Sequence, residues 1–191
     1  MNHRVFIAIN LPENIKKKLT DYQLKWPELP CRWTKKENLH ITLAFLGYLT
    51  DEELFEVCKI TKEVALRHEP FFINLNKILY GPPKRPPRMI WIEGEGSKDL
   101  GKLQKNLENA LSSAQAMAKA DKEQETRPYT SHITMGRLKQ WEFRQIEIEE
   151  RPEVNEDVSF NFEVKSIEIM ESRLKRGGPD YSILESCPLK S

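Results

Sequence analysis

The feature that most constrains the fold is a tetrapeptide that occurs twice, as His40-Ile41-Thr42-Leu43 and as His132-Ile133-Thr134-Met135. In each copy an apolar residue follows the histidine and another follows the threonine. Side chains alternate between the two faces of a β-strand, so a strand would present the imidazole and the hydroxyl together on one face. The chain contains only four histidines, so this repeat is rare by chance and indicates a functional pair.

The segments around the two copies repeat the same order of predicted elements. In each half, a strand, a helix, the His-x-Thr strand, a second helix and a further strand follow one another, beginning at Val5 and at Met89. The duplication predicts an α+β fold of two similar lobes with pseudo-twofold symmetry, with mainly antiparallel sheets and helices packed outside. The active site would lie in the central cleft. Residues 1–191 are predicted to form a single bilobal domain in which each lobe carries one motif.

Composition and charge exclude several classes of function. The net charge is +1, so no global excess of positive charge indicates nucleic-acid binding, and an anionic ligand must be met by local basic residues. The three cysteines are widely spaced, which favours reduced thiols over a disulfide framework or a zinc knuckle. We find neither a signal peptide nor a membrane-spanning run, so we expect a cytoplasmic protein with no membrane partner. We also expect a monomer.

Two histidines that face one phosphorus atom are suited to acid–base catalysis. An imidazole accepts a proton and an imidazolium donates one near neutral pH. One histidine can deprotonate the attacking water while the other protonates the leaving oxygen, and two hydroxyls can hydrogen-bond the non-bridging oxygens. Cyclic phosphodiesters fit this chemistry, because their phosphorus needs no metal clamp. The pattern therefore predicts catalysis by His40, His132, Thr42 and Thr134, with no metal and no cofactor.

Two other interpretations of the histidine pair stay open at this point. The two imidazoles could be zinc ligands, although neither motif carries Asp, Glu or Cys on the same strand face. Each could instead make only a structural hydrogen bond at a strand end, an interpretation that the repeat disfavours. The remaining histidines have no repeated partner. His3 is predicted to be solvated, and His68 to lie in the last turn of a helix that begins at the capping box of Thr50 and Glu53.

The two motifs and their surroundings resemble those of the 2H phosphoesterase superfamily, and within it the RNA 2′,3′-cyclic phosphodiesterases, also called 2′-5′ RNA ligases. The resemblance covers nearly the whole chain. Besides the two tetrapeptides it includes Arg4 to Ile9, Ala44 to Gly47, Arg127 to Ser131, Gly136, Arg137, Glu171, Ser172, Tyr181 and Leu184. Ser131, Met135 and Gly136 differ from the commoner Pro, Leu and Ala, and none of these differences removes a reacting group.

This resemblance implies metal-independent hydrolysis of a ribonucleoside 2′,3′-cyclic phosphate terminus to a 2′-phosphate. It also implies that His40 is the proton donor and His132 the proton acceptor, roles that the nearly symmetric motifs do not distinguish by themselves. Arg137 is implied to contact the phosphate, and Phe45 to contribute to the substrate cleft. Both lie an odd number of residues from their histidines, so straight strands would point them away from the cleft, and they can serve only if the strand ends or twists after Ala44 and Gly136. Gly136 favours such a change for Arg137, whereas for Phe45 a place in the core is an equal alternative.

The implied partner is RNA with a 2′,3′-cyclic phosphate terminus, including tRNA-like fragments. Basic residues in predicted loops could meet its phosphates, namely Lys35, Lys36, Lys84, Arg85, Arg88, Arg173, Lys175 and Arg176. Trp33 and Tyr129 could stack on a terminal base. The reverse reaction at the same site would be 2′-5′ ligation. The alternatives are a non-catalytic RNA-end binding protein and a 2H enzyme that acts on another cyclic or 2′-5′ nucleotide.

Overall fold

The structure is a computed structural model, and it describes residues 2–83, 85–113, 129–176 and 178–190. The strands are β1 (His3–Asn10), β2 (Cys31–Trp33), β3 (His40–Leu49), β4 (Phe71–Gly81), β5 (Met89–Gly94), β6 (His132–Leu138), β7 (Asn155–Val164), β8 (Ser166–Lys175) and β9 (Gly178–Pro188), and the helices are α1 (Glu13–Gln23), α2 (Asp51–Ala65), α3 (Lys98–Ser113) and α4 (Gln140–Gln145). Lys84, Arg127 and Pro128 lie outside the described residues.

The nine strands found in these ranges form one antiparallel sheet, in the order β7-β4-β5-β6-β3-β1-β8-β9, with β2 paired to β6. The predicted α+β class with mainly antiparallel pairing is therefore confirmed. The two halves of the chain exchange strands, which their repeated element order did not predict. β8 and β9 extend the side that contains β1 and β3, and β4 lies beside β5 on the side that contains β6.

The two motif strands meet at the centre of this sheet. Their register pair is Ile41 with Ile133, the apolar residue that follows the histidine in each copy. Because β3 and β6 are antiparallel, continuing this register by one residue sets each histidine across from the threonine of the other motif. The two imidazoles therefore occupy diagonal positions on one face of the sheet.

The two faces of the sheet carry different groups. On one face, Ile41 and Ile133 belong to the large apolar core, to which the helices contribute Ile15 and Leu19 of α1, Val57 and Val64 of α2, and Leu103 and Leu107 of α3. The opposite face carries the motif histidines and a small apolar cluster of Phe6, Ala8 and Met170, against which Tyr181 packs. Among the described residues, no helix combines the length and hydrophobicity needed to cross a membrane.

Both histidines outside the motifs differ from the predictions. His3 is not solvated, because its Nδ1 lies 2.8 Å from Glu171 Oε1 and its Nε2 lies 2.9 Å from Asp51 Oδ1. These hydrogen bonds, first to Glu171 and then to Asp51, raise the pKa of His3. The predicted capping box of Thr50 is present, but its helix α2 ends at Ala65, so His68 lies beyond the last turn.

Candidate active site

A β-bulge at the end of the first motif decides where Phe45 points. Ala8 of β1 pairs with Thr42, whereas the next residue back, Ile7, pairs with Ala44, so Leu43 is an extra residue in β3. Phe6 then pairs with Phe45. Because residues that are directly opposite share a face, Phe45 lies on the same face as Thr42. It is 50% exposed and its ring centroid is 6.2 Å from that of Phe6, so it is not part of the core.

A second bulge occupies the equivalent position of the second motif. Trp91 of β5 pairs with Thr134 and Ile90 pairs with Gly136, so Met135 is the extra residue in β6. Met89 then pairs with Arg137, which therefore shares the face of Thr134. The Nη1 of Arg137 lies 3.4 Å from the sulfur of Met89. A straight strand would turn Phe45 and Arg137 away from the histidines, and one extra residue in each strand reverses that alternation.

Polar contacts from α1 and from the segment after β2 hold the second bulge. The carbonyl of Met135 accepts hydrogen bonds from the backbone N–H of Thr34 at 2.8 Å and from Gln23 Nε2 at 3.0 Å. Thr34 Oγ1 donates to the carbonyl of Thr134 at 2.8 Å. Gly136 lets β2 approach closely, because a Cβ there would overlap the side chains of Cys31 and Trp33. These contacts fix the strand segment that directs Arg137.

His40 is oriented by a backbone carbonyl two residues earlier. Its Nδ1 lies 2.7 Å from the carbonyl oxygen of Asn38, which can only accept, so Nδ1 carries a proton. The Nε2 atom lies 2.9 Å from Thr42 Oγ1 on the open face of the sheet. The rings of Phe6 and Tyr181 pack against the imidazole, with centroids at 5.0 and 5.4 Å.

His132 is oriented in the same way, and a different aromatic ring supports it. Its Nδ1 lies 2.9 Å from the carbonyl oxygen of Thr130, again two residues earlier, so Nδ1 carries a proton and Nε2 is the nitrogen without one in the neutral ring. The indole of Trp91 stacks on the imidazole with ring centroids 3.7 Å apart and an interplanar angle of 20°. Gly81 leaves room for the indole of Trp91, because a Cβ at that position would overlap the ring.

The electrostatic surroundings lower the pKa of both motif histidines. For His40, burial is the main cause, a smaller opposing effect comes from the Asn38 carbonyl, and positive charge at His132, Lys16 and Arg137 lowers it further. For His132, burial again dominates over the opposing Thr130 carbonyl, and Arg137 lowers the pKa further. The positive charge of Arg137 therefore lowers the pKa of both imidazoles.

The two threonines differ in their contacts. Thr42 Oγ1 is the neighbour of His40 Nε2, and the backbone carbonyl of Thr42 accepts a hydrogen bond from the Tyr129 hydroxyl at 3.1 Å. Among the described residues, the one hydrogen-bond contact found for Thr134 Oγ1 is a long one, 4.0 Å from the sulfur of Met89. The Thr42 hydroxyl is thus shared with His40, whereas the Thr134 hydroxyl is not held by its own motif histidine.

Several residues that sequence reasoning offered for base or phosphate contact have structural partners instead. Trp33 stacks on Trp26 with ring centroids 6.3 Å apart, and the Tyr129 hydroxyl is used to hold β3. Among the loop cations, Lys36 contacts Glu13, Arg173 contacts Glu171, and Lys175 contacts Asp180. Asn38, Thr130 and Trp91, which orient the imidazoles, were not identified from the sequence, although the two carbonyls share the same spacing from the motif histidines.

The donor set around the histidines contains hydroxyls, carbonyls and aromatic rings. Within the described ranges, no group of three or more His, Cys, Asp or Glu side chains has the arrangement of a metal site. Cys31 lies behind Gly136, and burial raises the pKa of its thiol to about 12, so it is a poor metal ligand near neutral pH. The described residues therefore offer the two motif histidines no set of partners that would complete a zinc site.

Comparison with known proteins agrees with this geometry. The model of the LigT-like phosphoesterase family matches the chain in two successive segments, residues 9–91 and 93–181, each containing one His-x-Thr motif. An RNA 2′,3′-cyclic phosphodiesterase of Methanocaldococcus jannaschii is 32% identical, over 95% of this chain and 98% of that protein. One of Thermus thermophilus is 30% identical, over 98% of this chain and 90% of that protein.

Solved structures share the fold. TT0787 of Thermus thermophilus superposes with a TM-score of 0.83 at 26% identity, covering 98% of each chain. Escherichia coli LigT, solved in complex with 3′-AMP, superposes with a TM-score of 0.77 at 23% identity, covering 100% of each chain. The double match to one family model also supports the duplication that the two motifs indicated. The chain therefore belongs to the LigT-like phosphoesterase family, the 2H phosphoesterases that its two motifs resemble.

Proposed function

We propose that this chain is a metal-independent RNA 2′,3′-cyclic phosphodiesterase that produces a terminal 2′-phosphate. One observation carries the proposal. Two partly buried imidazoles lie on one face of the sheet, and a backbone carbonyl at each Nδ1 leaves each Nε2 available for proton transfer. The relatives that bear the name RNA 2′,3′-cyclic phosphodiesterase support the choice of substrate. RNA ends, including tRNA-like fragments, are the partners we propose.

In the proposed mechanism, His132 is the general base and His40 the general acid. His132 Nε2 takes a proton from water as the water oxygen attacks phosphorus. The bond between phosphorus and the 3′-oxygen breaks, and His40 Nε2 gives its proton to that oxygen, leaving a 3′-hydroxyl and a 2′-phosphate. The carbonyls of Asn38 and Thr130 fix each imidazole in the orientation that the transfer requires.

Arg137, Thr134 and Thr42 are the groups we propose to hold the non-bridging oxygens. The bulge at Met135 brings the Arg137 guanidinium to the face that carries both histidines. A guanidinium forms charge-assisted hydrogen bonds with phosphate oxygens. If the 5′-hydroxyl of a second RNA end takes the place of the attacking water, the same displacement at phosphorus forms a 2′-5′ linkage and releases the 3′-oxygen, so ligation is a second activity of the proposed site.

Turnover in a chelator separates this proposal from its alternatives. We expect the purified protein to open 2′,3′-cyclic AMP, and an oligoribonucleotide with a 2′,3′-cyclic phosphate end, in excess EDTA. Phosphorus NMR or chromatography against standards should identify the 2′-phosphate as the product. Tight binding without product would indicate an RNA-end binding protein. Activity lost in EDTA and restored by zinc would contradict the metal-independent mechanism.

The pH dependence of kcat/KM should show an optimum on the acid side of pH 6.5. The mechanism needs one proton on the histidine pair, and the pKa of each histidine lies below its ordinary value in the free protein. As the pH rises through these values the pair loses its proton, so kcat/KM should already be falling at neutral pH. Bound phosphate is negatively charged and raises both pKa values, so kcat should peak at higher pH than kcat/KM. A kcat/KM that rises steadily to pH 8 would contradict acid–base catalysis by this histidine pair.

A further inference from the structure

The face that carries the motif histidines continues along β1 and β3 beyond Phe45. A second bulge in β3, at Leu46, keeps the next side chains in phase, because Val5 pairs with Gly47 and Arg4 pairs with Tyr48. Gly47 has a φ of +73°, a conformation that glycine adopts without strain. Arg4 and Tyr48 therefore project from the same face as His40, farther along the strands.

A cavity of about 450 Å³ opens at this position. Its lining includes Arg4, Tyr48, Ser172, Arg173 and Glu171. Arg4 lies four residues from Ala8, the register partner of Thr42, which corresponds to roughly 13 Å along the strand. This distance is too long for Arg4 to hold the phosphate that reacts at the histidines. A ligand group in the cavity must instead belong to a neighbouring part of the substrate.

The cavity offers aromatic surface and positive charge together. Tyr48 is 61% exposed, and with Phe45 it forms a pair of exposed rings on one face of β3. Exposed rings of this kind stack on nucleobases. The Arg173 side chain is 67% exposed. The Arg4 side chain extends into this space from the face that carries His40, whereas the register of β8 directs Arg173 to the opposite face, where it contacts Glu171.

The one carboxylate in the lining is already neutralised. Glu171 Oε1 lies 2.8 Å from His3 Nδ1, and its Oε2 accepts a hydrogen bond from Arg173 Nε at 2.8 Å. These contacts lower the pKa of Glu171, with His3 as the largest cause, so it is ionised but paired. The charge left for a ligand is therefore positive, which suits a phosphodiester.

We propose that this cavity binds the nucleotide immediately upstream of the cyclic phosphate, with Tyr48 stacking on its base and Arg4 contacting its phosphodiester. The inference rests on the proposed function and deepens it. It makes the preferred substrate an oligoribonucleotide end rather than a free cyclic mononucleotide, because only an oligonucleotide reaches from the histidines to Arg4.

The test compares two substrates, an oligoribonucleotide with a 2′,3′-cyclic phosphate end and 2′,3′-cyclic AMP. Arg4→Gln and Tyr48→Ala should each lower kcat/KM on the oligonucleotide about tenfold, chiefly through KM, since one stacked base or one phosphate contact is lost. On 2′,3′-cyclic AMP each variant should lower kcat/KM by less than about twofold. Tyr48→Phe keeps the ring and should retain the oligonucleotide activity. Arg67→Gln is the matched control, because Arg67 lines a cavity of about 390 Å³ beside α3, on the helix side of the sheet.

A binding measurement keeps this inference separable from the proposed function. The affinity of the protein for an oligonucleotide that already carries the 2′-phosphate needs no turnover, and Arg4→Gln should weaken it about tenfold. The slope of log K against log salt should also fall by about 0.7 for one lost single-strand phosphate contact. Equal losses on both substrates, an unchanged product affinity, or the same loss in Arg67→Gln would overturn the subsite. Failure of the wild-type protein to open either cyclic phosphate would overturn only the proposed function.

Discussion

His40→Ala and His132→Ala are each expected to lower kcat on a 2′,3′-cyclic phosphate end by about 10²–10⁴-fold, the usual contribution of a positioned acid or base. In the proposed mechanism each imidazole presents its Nε2 to the same phosphate, because a backbone carbonyl occupies each Nδ1. The two act in one step, so the double variant should be only slightly slower than either single variant. Rapid-quench or steady-state rates on the cyclic-ended oligonucleotide measure all three.

The leaving group distinguishes the two roles. On a nucleotide p-nitrophenyl phosphodiester, whose phenolate leaves without a proton, loss of the general acid matters little while loss of the general base still matters. We therefore expect the rate of His40→Ala on this ester to be close to that of the wild-type protein, whereas His132→Ala should remain much slower than the wild-type protein. The opposite pattern would exchange the roles, and full activity in either variant would contradict the mechanism. His68→Ala is the matched control, because His68 lies beside α3, where its Nε2 contacts Asn106.

The sequence was sufficient to predict what depends on local periodicity. The alternation in each His-x-Thr-x tetrapeptide predicted a strand with a polar and an apolar face, and Ile41 and Ile133 are indeed buried in the core while the histidines lie on the other face. The Thr50 capping box predicted the start of α2 for a similarly local reason, since its partner Glu53 is three residues away. The α+β class followed from the order of such elements.

The parts that were not predicted depend on contacts between residues that are distant in sequence. Leu43 and Met135 look like ordinary inward-facing strand residues, and only the register against β1 and β5 shows that each is the extra residue of a bulge. No local pattern indicates that Gln23 and Thr34 hold the second bulge. The sides of the sheet that β4, β8 and β9 join likewise depend on pairing between strands that are far apart in the sequence. The positions of Phe45 and Arg137 therefore required the structure.

Arg137→Gln is expected to lower kcat/KM by about 10²–10³-fold, the range found when one donor to a developing negative charge is removed. A second effect follows from the positive charge of Arg137, which lowers the pKa of both His40 and His132. Without that charge both pKa values rise, so the optimum of kcat/KM should move to higher pH. Arg137→Lys restores the charge but not the planar fork, so it should keep the wild-type optimum and recover only part of the activity.

The pair of Arg137 variants thus separates two consequences of one guanidinium. If it binds phosphate beside the histidines, the glutamine variant changes both the rate and the pH optimum, and the lysine variant changes mainly the rate. Arg144→Gln, which removes an exposed arginine from α4 just after β6, should change neither. A slower Arg137→Gln enzyme with an unshifted optimum would place the guanidinium away from the histidines. In that case the bulge at Met135 would bring Arg137 to the correct face of the sheet but not to the reacting phosphate.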